Sequence, residues 1–222
     1  MISDNVQISS PDISHQQAPH FVADIYPRQN PAYYIVKRAF DVLFSIILLV
    51  VTLLPMLLIA VLIRCDLRGP SVYRQERLGK HGKPFMMYKF RTMHPDAEAN
   101  GPQWAEVNDP RCTKLGRFLR HCRLDELPQL WNILIGDMSF VGPRPERAYF
   151  YDQFEETIPG FRNRLRVTPG LTGLAQVNGG YDLRPDQKII WDMEYIRTQS
   201  VWTDFVCILK TVKLVFTHEG AR

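Results

Sequence analysis

Two adjacent carboxylates, Asp125 and Glu126, stand just ahead of Pro128 in the run LDELP. Proline suits the first turn of a helix, and the run Gln129–Ile135 followed by Gly136 predicts a helix that ends at the glycine. The acids then lie at the positive pole of this helix, where the dipole and free N–H groups favour carboxylate and phosphate oxygens alike. Such a position is compatible with ordinary helix capping as well as with a chemical site.

A basic helix is predicted immediately before these acids. In the run RCTKLGRFLRHCR at 111–123, apolar residues recur at helical spacing. They are Leu115, Phe118, Leu119 and Cys122, while Lys114, Arg117, Arg120 and Arg123 form a basic side. A face of this kind is either simply solvated or binds phosphate or lipid headgroups.

Two further cations, Lys89 and Arg91, alternate with Phe90 in a run of strand formers at 84–91. Alternation in a strand places both cations on one face and directs the aromatic ring into the core. The strand formers at 71–74 and the glycines between the two runs predict a hairpin. The cations can converge on an anion or form a solvated strand face.

Proline and glycine shape the loops that follow. Pro143 and Pro145 restrict the backbone around Arg144, and a pre-positioned guanidinium suits bidentate binding of phosphate. A structural loop with an incidental arginine is the alternative. The glycine-rich run VTPGLTGLAQVNGG at 167–180 can wrap a nucleotide with its amides and hydroxyls, although it is neither a P-loop nor a dinucleotide fingerprint.

The elements that position these residues include a segment suited to a bilayer. From Ala39 to Ile63 the one charged residue is Asp41. At about 1.5 Å per residue, the uncharged part would be about 33 Å long as a helix, close to the roughly 30 Å hydrocarbon core. Basic residues on both flanks favour entry and exit through the same leaflet. A kink at Pro55 would let the helix re-enter, while an ordinary kinked span stays open.

The C-terminal part is predicted to be helical at 189–197 and 201–216. Aromatic and lysine residues near the apolar faces suit helices at headgroup depth, and ordinary core helices fit the pattern equally.

Composition narrows the function classes. The 222 residues carry a formal net charge of +4, and 45% of them are hydrophobic, which excludes wholesale disorder or a collagen-like fibre. The four cysteines form no C-x-x-C pair and have no neighbouring histidine at ligand spacing, so neither a zinc site nor a disulfide framework is indicated. We read them as reduced, which favours the cytosol. The charge is too mild to indicate nucleic-acid binding.

Six motifs occur in a fixed order along the chain. They are KRAFD from Lys37, YKFRTM from Tyr88, LDELPQL from Leu124, GDMS from Gly136, VGPRP from Val141 and TPGLTG from Thr168. The series resembles the bacterial sugar transferases, in particular the small monotopic phosphoglycosyl transferases, from about Tyr33 to the end of the chain. The resemblance implies an α+β, predominantly helical monotopic membrane protein on the cytoplasmic face of the bacterial inner membrane. Its parts would be a polar tail at 1–32, a re-entrant membrane helix at 33–68, and a cytoplasmic catalytic domain with interfacial amphipathic helices at 69–222.

The resemblance also implies an activity, namely transfer of a sugar 1-phosphate from a UDP-sugar to a polyprenyl phosphate, usually undecaprenyl phosphate, with release of UMP. Asp125 and Glu126 would be the catalytic residues and would hold Mg²⁺, and Asp125 would carry the phosphosugar covalently. The substrate-binding residues would be Lys89, Arg91, Arg120, Arg144, Thr172 and Gln176. In the family the membrane helix breaks at a Ser-Pro pair, whereas this chain has Leu54 before Pro55.

The implied partners are the UDP-sugar donor, the polyprenyl phosphate acceptor and the lipid bilayer, without nucleic acid, and a homo-oligomer stays open. Two other classes fit the residues. One is a non-catalytic membrane adaptor that binds anionic lipid through its basic face. The other is a membrane-tethered nucleic-acid-binding domain, whose affinity would depend steeply on salt.

Overall fold

The fold is an α+β arrangement dominated by helices, as given by a computed structural model that describes residues 25–99, 101, 103, 109–180 and 183–217. The elements are α1 (Pro31–Asp66), β1 (Val72–Leu78), β2 (Pro84–Phe90), α2 (Lys114–His121), α3 (Gln129–Ile135), β3 (Ser139–Val141), α4 (Ala148–Thr157), β4 (Gly170–Thr172), α5 (Leu174–Val177), α6 (Pro185–Thr198) and α7 (Val201–Thr217). Short 3₁₀ turns cover Lys80–Gly82, Leu124–Glu126 and Phe161–Arg166. The α+β, predominantly helical part of the predicted fold class is confirmed, and the predicted polar tail lies outside the described residues up to position 24.

Helix α1 begins at a side-chain cap and is long and apolar. The Asn30 side-chain oxygen accepts a hydrogen bond from the Tyr33 backbone N at 3.2 Å. The helix continues through Pro55, and among the described helices it alone is long and apolar enough to cross a membrane. One turn before the proline, Thr52 Oγ1 donates to the Leu48 carbonyl oxygen at 2.6 Å, a contact that often bends helices. Length and composition therefore favour association with a membrane.

One face of α1 packs against the rest of the chain from its first turn to its last. Tyr33 is buried at its start, Leu48 packs near its middle against the core cluster that contains Ile133, and Ile63 is buried in one cluster with Phe90 near its end. The opposite face exposes apolar side chains, among them Leu43, Ile47, Val50, Leu54, Leu57 and Val61. The helix therefore packs along its whole length on one face, and its other face is an exposed apolar stripe suited to membrane hydrocarbon.

Strands β1 and β2 form the predicted antiparallel hairpin, in which Val72 pairs with Phe90. The reversal uses two residues with positive φ, His81 at 58° and Gly82 at 74°. Phe90 is buried, as the alternation predicts, and Lys89 lies on the other face of the strand.

A parallel pair, β3 with β4, brings the proline-bracketed loop against the glycine-rich loop. Ser139 pairs with Gly170 and Val141 with Thr172. The two backbones approach so closely that a Cβ on Gly170 would lie 2.1 Å from the backbone N of Gly142. Glycine is therefore required at this crossing.

The two C-terminal helices play different roles. Three α6 side chains, Ile189, Met193 and Ile196, are fully buried in the main core, so α6 is a core helix. Helix α7 buries Cys207 but exposes a row of apolar side chains. That row contains Val201, Trp202, Phe205, Leu209, Val212 and Val215. An interfacial location therefore does not apply to α6, and for α7 it stays a prediction.

Candidate active site

Helix α2 presents Arg120 by packing tightly on the segment after β2. Thr113 caps the helix by accepting a hydrogen bond from the Gly116 backbone N at 2.9 Å. A Cβ on Gly116 would lie 1.9 Å from the Thr92 carbonyl oxygen, so a glycine permits the contact. Arg120 Nε in turn donates to Thr92 Oγ1 at 2.9 Å. Phe118 is 58% exposed, because this short helix packs mainly through Gly116 and Leu119.

The chain reverses direction just before the two acids. Arg123 has φ 57°, and the next three residues form the 3₁₀ turn that contains Asp125 and Glu126. Helix α3 then runs as predicted to Gly136, whose φ is 98°. The acids therefore occupy a separate turn ahead of the helix and do not cap it with their side chains.

Glu126 is held by two cations. Lys89 Nζ lies 3.1 Å from Glu126 Oε1, and the Arg144 guanidinium reaches both carboxylate oxygens of Glu126. Burial alone would raise the pKa of this carboxyl, but Arg144 and Lys89 outweigh it and hold the pKa well below its usual range. Glu126 is thus a fixed anion that orients two of the predicted phosphate-binding cations.

Asp125 has a different environment although it is adjacent in sequence. It is 7% exposed, and burial raises its pKa to about 6; Lys89 opposes this shift and Glu126 adds to it. Among the described residues, no cation lies within ion-pair distance of its oxygens. One carboxylate of the pair is neutralised and the other is left for a ligand.

The pair opens into a cavity of about 400 Å³, here called the polar cavity. Predicted site residues in its lining are Lys89, Arg91, Arg120, Asp125, Glu126 and Arg144. Further lining residues that the sequence analysis did not single out for this site are Tyr73, Gln75, Arg111, Arg147 and Lys188. Arg91 also donates to the Arg68 carbonyl oxygen at 3.1 Å, which ties this side of the cavity to the end of α1. The four predicted cations, which are distant from one another in sequence, are therefore gathered with the acidic pair around one space.

Thr172 and Gln176 lie in a second space of about 410 Å³, here called the apolar cavity. Thr172 Oγ1 is 2.6 Å from Thr211 Oγ1 of α7, and Gln176 Nε2 donates to the Gly142 carbonyl oxygen at 3.4 Å. The apolar walls comprise Phe40, Phe44 and Leu48 of α1, Leu127, Leu130, Phe140 and Leu171, and Ile208, Val212, Leu214 and Val215 of α7. These two residues therefore lie in a different cavity from Lys89, Arg91, Arg120 and Asp125, whereas Glu126 and Arg144 line both cavities.

The buried side chain of Arg164 binds the backbone of Arg144, a role that the sequence analysis did not identify. Its guanidinium and Asp192 form an ion pair at 2.6 Å, with both side chains 1% exposed. Arg164 Nη2 also donates to the Arg144 carbonyl oxygen at 3.0 Å. The sequence signal was an R-x-R-x-R run before the glycine-rich loop, but the pattern alone does not distinguish Arg164 from its neighbours Arg162 and Arg166.

The KRAFD segment at the start of α1 ties the helix to the site. Lys37 Nζ lies 2.7 Å from Asp204 Oδ2 and donates to the Val141 carbonyl oxygen at 2.9 Å. Asp41 Oδ1 accepts a hydrogen bond from the Phe140 backbone N at 3.0 Å. The basic flank is therefore more than a topology signal, because it clamps α1 onto β3 and α7.

Comparison with known proteins identifies the family of this chain. The family model for bacterial sugar transferases matches residues 32–218, which contain every site residue described above. The chain belongs to the bacterial sugar transferase family. This membership makes it a relative of enzymes named as phosphotransferases.

Three relatives illustrate the match. The chain is 42% identical over 196 residues to the UDP-N-acetylgalactosamine-undecaprenyl-phosphate N-acetylgalactosaminephosphotransferase of Aeromonas hydrophila. It is 38% identical over 192 residues to the UDP-glucose:undecaprenyl-phosphate glucose-1-phosphate transferase of Escherichia coli (strain K12), and 42% identical over 194 residues to the enzyme of that name from Caulobacter vibrioides. The matches cover 87%, 84% and 83% of this bacterial sugar transferase. They span about half of the first two relatives, at 46% and 41%, and 71% of the third.

Proposed function

We propose that this bacterial sugar transferase moves a sugar 1-phosphate from a UDP-sugar to a polyprenyl phosphate and releases UMP. The observation that carries the proposal is Asp125, a buried carboxylate that faces a cation-lined cavity while Glu126 beside it is already neutralised. The names of the relatives support the acceptor, undecaprenyl phosphate, and the transferred group.

In the first step, an Asp125 carboxylate oxygen attacks the β-phosphorus of the donor. An oxygen–phosphorus bond forms, the bond from that phosphorus to the bridging oxygen breaks, and its electron pair leaves with UMP. The phosphosugar stays on Asp125 as an acyl phosphate. A pKa of about 6 keeps this carboxyl ionised at neutral pH and makes it more basic than a fully hydrated aspartate.

In the second step, a phosphate oxygen of the polyprenyl acceptor attacks the same phosphorus. The bond to Asp125 breaks, the carboxylate is restored, and the product is a polyprenyl diphosphate that carries the sugar. Both displacements concentrate negative charge on phosphoryl oxygens, which Lys89, Arg120 and Arg144 are placed to stabilise. Glu126 keeps Lys89 and Arg144 oriented before substrate arrives, so less reorganisation is needed during reaction.

Asp125 and Glu126 are also the residues that would hold Mg²⁺, although Glu126 would have to share its oxygens with Lys89 and Arg144. Carboxylate oxygens are the hard ligands that Mg²⁺ prefers. Among the described residues no group of three or more His, Cys, Asp or Glu side chains forms a protein cage, which suits an ion that completes its shell with substrate phosphates and water. When bound, the ion supplies further neutralisation of the diphosphate charge.

We propose a monotopic arrangement on the cytoplasmic face of the inner membrane, and the docking of α1 supports the placement of both helix ends on one side. A helix that crosses the roughly 30 Å hydrocarbon core delivers its two ends to opposite sides. Here Tyr33 OH donates to Asp204 at 3.0 Å near the start of α1, and Ile63 packs with Phe90 near its end. Both ends contact one folded unit, and the exposed apolar stripe between them would enter one leaflet. Cysteines introduced into the tail and into the catalytic domain should therefore both react only from the cytoplasmic side.

The chemical proposal is tested with Asp125→Asn and Asp152→Asn. Asp152 is a surface residue outside both cavities, so the same substitution there provides a matched control. With a panel of UDP-sugars, undecaprenyl phosphate and Mg²⁺, the unmodified protein and D152N should release UMP, whereas D125N should not. Intact-mass measurement after incubation with donor alone should show one phosphosugar adduct that maps to Asp125.

Undiminished UMP release by D125N would remove the nucleophile from the proposal. If the unmodified protein released no UMP with any donor but bound anionic vesicles, the lipid-binding adaptor would be the better account.

A further inference from the structure

The apolar cavity joins the polar cavity at the reactive turn. Glu126 and Arg144 line both spaces, as do Arg123 and Lys188. The end of the apolar cavity next to Asp125 therefore carries an excess of cations. The remaining walls are mainly hydrocarbon, and their polar members are Thr52, Arg164, Thr172, Gln176 and Thr211. Such a space is complementary to an amphiphile with an anionic head and a long apolar tail.

We propose that the apolar cavity binds the isoprene units nearest the phosphate of the acceptor lipid, so that donor and acceptor approach Asp125 through separate entrances. This inference rests on the proposed function. The donor's nucleoside and sugar are polar and fit the charged lining of the polar cavity, whereas they would leave hydrogen-bonding groups unsatisfied against Phe44, Leu171 and Val212.

The walls of the apolar cavity are continuous with the surfaces that face the membrane. Phe40, Phe44 and Leu48 belong to α1, whose outward face is exposed hydrocarbon. On the other side, Val212 belongs to the exposed apolar row of α7 and is itself 48% exposed. A lipid tail can therefore pass from the bilayer into the cavity without crossing a polar surface.

The volume limits how much of the lipid is bound. About 410 Å³ lies near the lower end of the roughly 300–1,000 Å³ that ligand pockets occupy. Only the head-proximal part of a long polyprenyl chain fits, and the rest stays in the bilayer. The acceptor KM should therefore fall steeply over the first few isoprene units and change little with further length.

The test fills the cavity from α7. Val212→Trp places an indole in the wall, and Leu209→Trp makes the same kind of change on the same helix at a residue that is 53% exposed and outside the lining. Kinetics are measured in one detergent at fixed micelle mole fractions of undecaprenyl or geranyl phosphate. V212W should raise the KM for undecaprenyl phosphate by about tenfold, which corresponds to about 1.4 kcal/mol of lost binding free energy. L209W should raise this KM by less than about twofold.

A donor-only measurement separates this inference from the proposed function. UMP released from UDP-sugar without acceptor should reach the same amplitude in V212W, L209W and the unmodified protein, because the donor uses the other cavity. Equal acceptor KM values for the two variants, or loss of the donor-only amplitude in V212W alone, would overturn the inference. A failure of the proposed function gives a different result, which is absence of UMP release from the unmodified protein.

The unmodified protein provides a second test that needs no variant. An acceptor KM that falls evenly up to the full polyprenyl length would contradict a cavity of limited volume. A plateau after the first few units would support it.

Discussion

Loss of the Asp192 carboxylate should destabilise the protein far more than loss of a surface carboxylate. Asp192 is paired with Arg164, and the two side chains are each 1% exposed. Asp192→Asn removes the counter-charge but leaves the guanidinium of Arg164, a residue that is 2% exposed overall, buried. Breaking a buried pair in this way costs about 3–5 kcal/mol.

The matched substitution is Asp152→Asn, which breaks the pair between Asp152 and Arg162. Those side chains are 65% and 44% exposed, so solvent screens their attraction and the loss is about 0–1 kcal/mol. For a chain of this size, 1 kcal/mol shifts the unfolding midpoint by about 2–4 °C. D192N should therefore lower the midpoint by roughly 6–20 °C, and D152N by no more than roughly 4 °C.

The assay is thermal unfolding followed by tryptophan fluorescence in one detergent, at one protein concentration and one scan rate. The double variant Arg164→Met with Asp192→Leu should recover much of the lost midpoint, because it removes both buried charges and keeps apolar volume. The reasoning is that burial of an ion pair, more than its presence, determines how much stability is lost when the pair is broken. An unfolding midpoint of D192N no lower than that of D152N would refute it.

Two further outcomes follow from the packing around α1 and α7. Lys37→Met leaves the Asp204 carboxylate without its cation at 2.7 Å, so the free energy of unfolding should fall by about 1–3 kcal/mol. An unfolding midpoint unchanged from that of the unmodified protein would contradict a stabilising contact of α1 with α7 through this pair. The buried Cys207 thiol, whose pKa burial raises to about 12, should stay protonated and resist iodoacetamide up to strongly alkaline pH, whereas exposed Cys65 reacts. Peptide mass spectrometry after labelling of the folded protein checks the second outcome, and equal labelling of both thiols at pH 8 would contradict it.

Local patterns in the sequence predicted several elements correctly. Helix α3 begins after Pro128 and ends at Gly136, and the hairpin buries Phe90, as expected. These features depend on φ preferences, missing N–H groups and side-chain alternation over a few residues. Because these interactions involve only residues close together in the sequence, a single sequence is enough to predict them.

The pairing of charges was not predictable in the same way. The sequence analysis assigned Lys89 and Arg144 to phosphate binding, and the structure shows both in contact with Glu126 before any substrate is present. Lys37 was interpreted as a flanking charge of a membrane segment, and it contacts Asp204, far along the chain. The sequence shows which residues are cationic, but the tertiary fold determines which distant carboxylate each of them pairs with.

By itself, the sequence determined that an acidic pair, a basic helix, a stiff arginine loop and a long apolar helix occur in this order, because each depends on neighbouring residues. Only the tertiary structure decided that Glu126 is neutralised while Asp125 is not, and that Thr172 and Gln176 line a mainly apolar cavity next to the polar one. The physical reason is that burial and electrostatic pairing arise from surfaces brought together by packing. The parallel β3–β4 crossing and the lengthwise docking of α1 create those surfaces, and neither exists until the chain has folded.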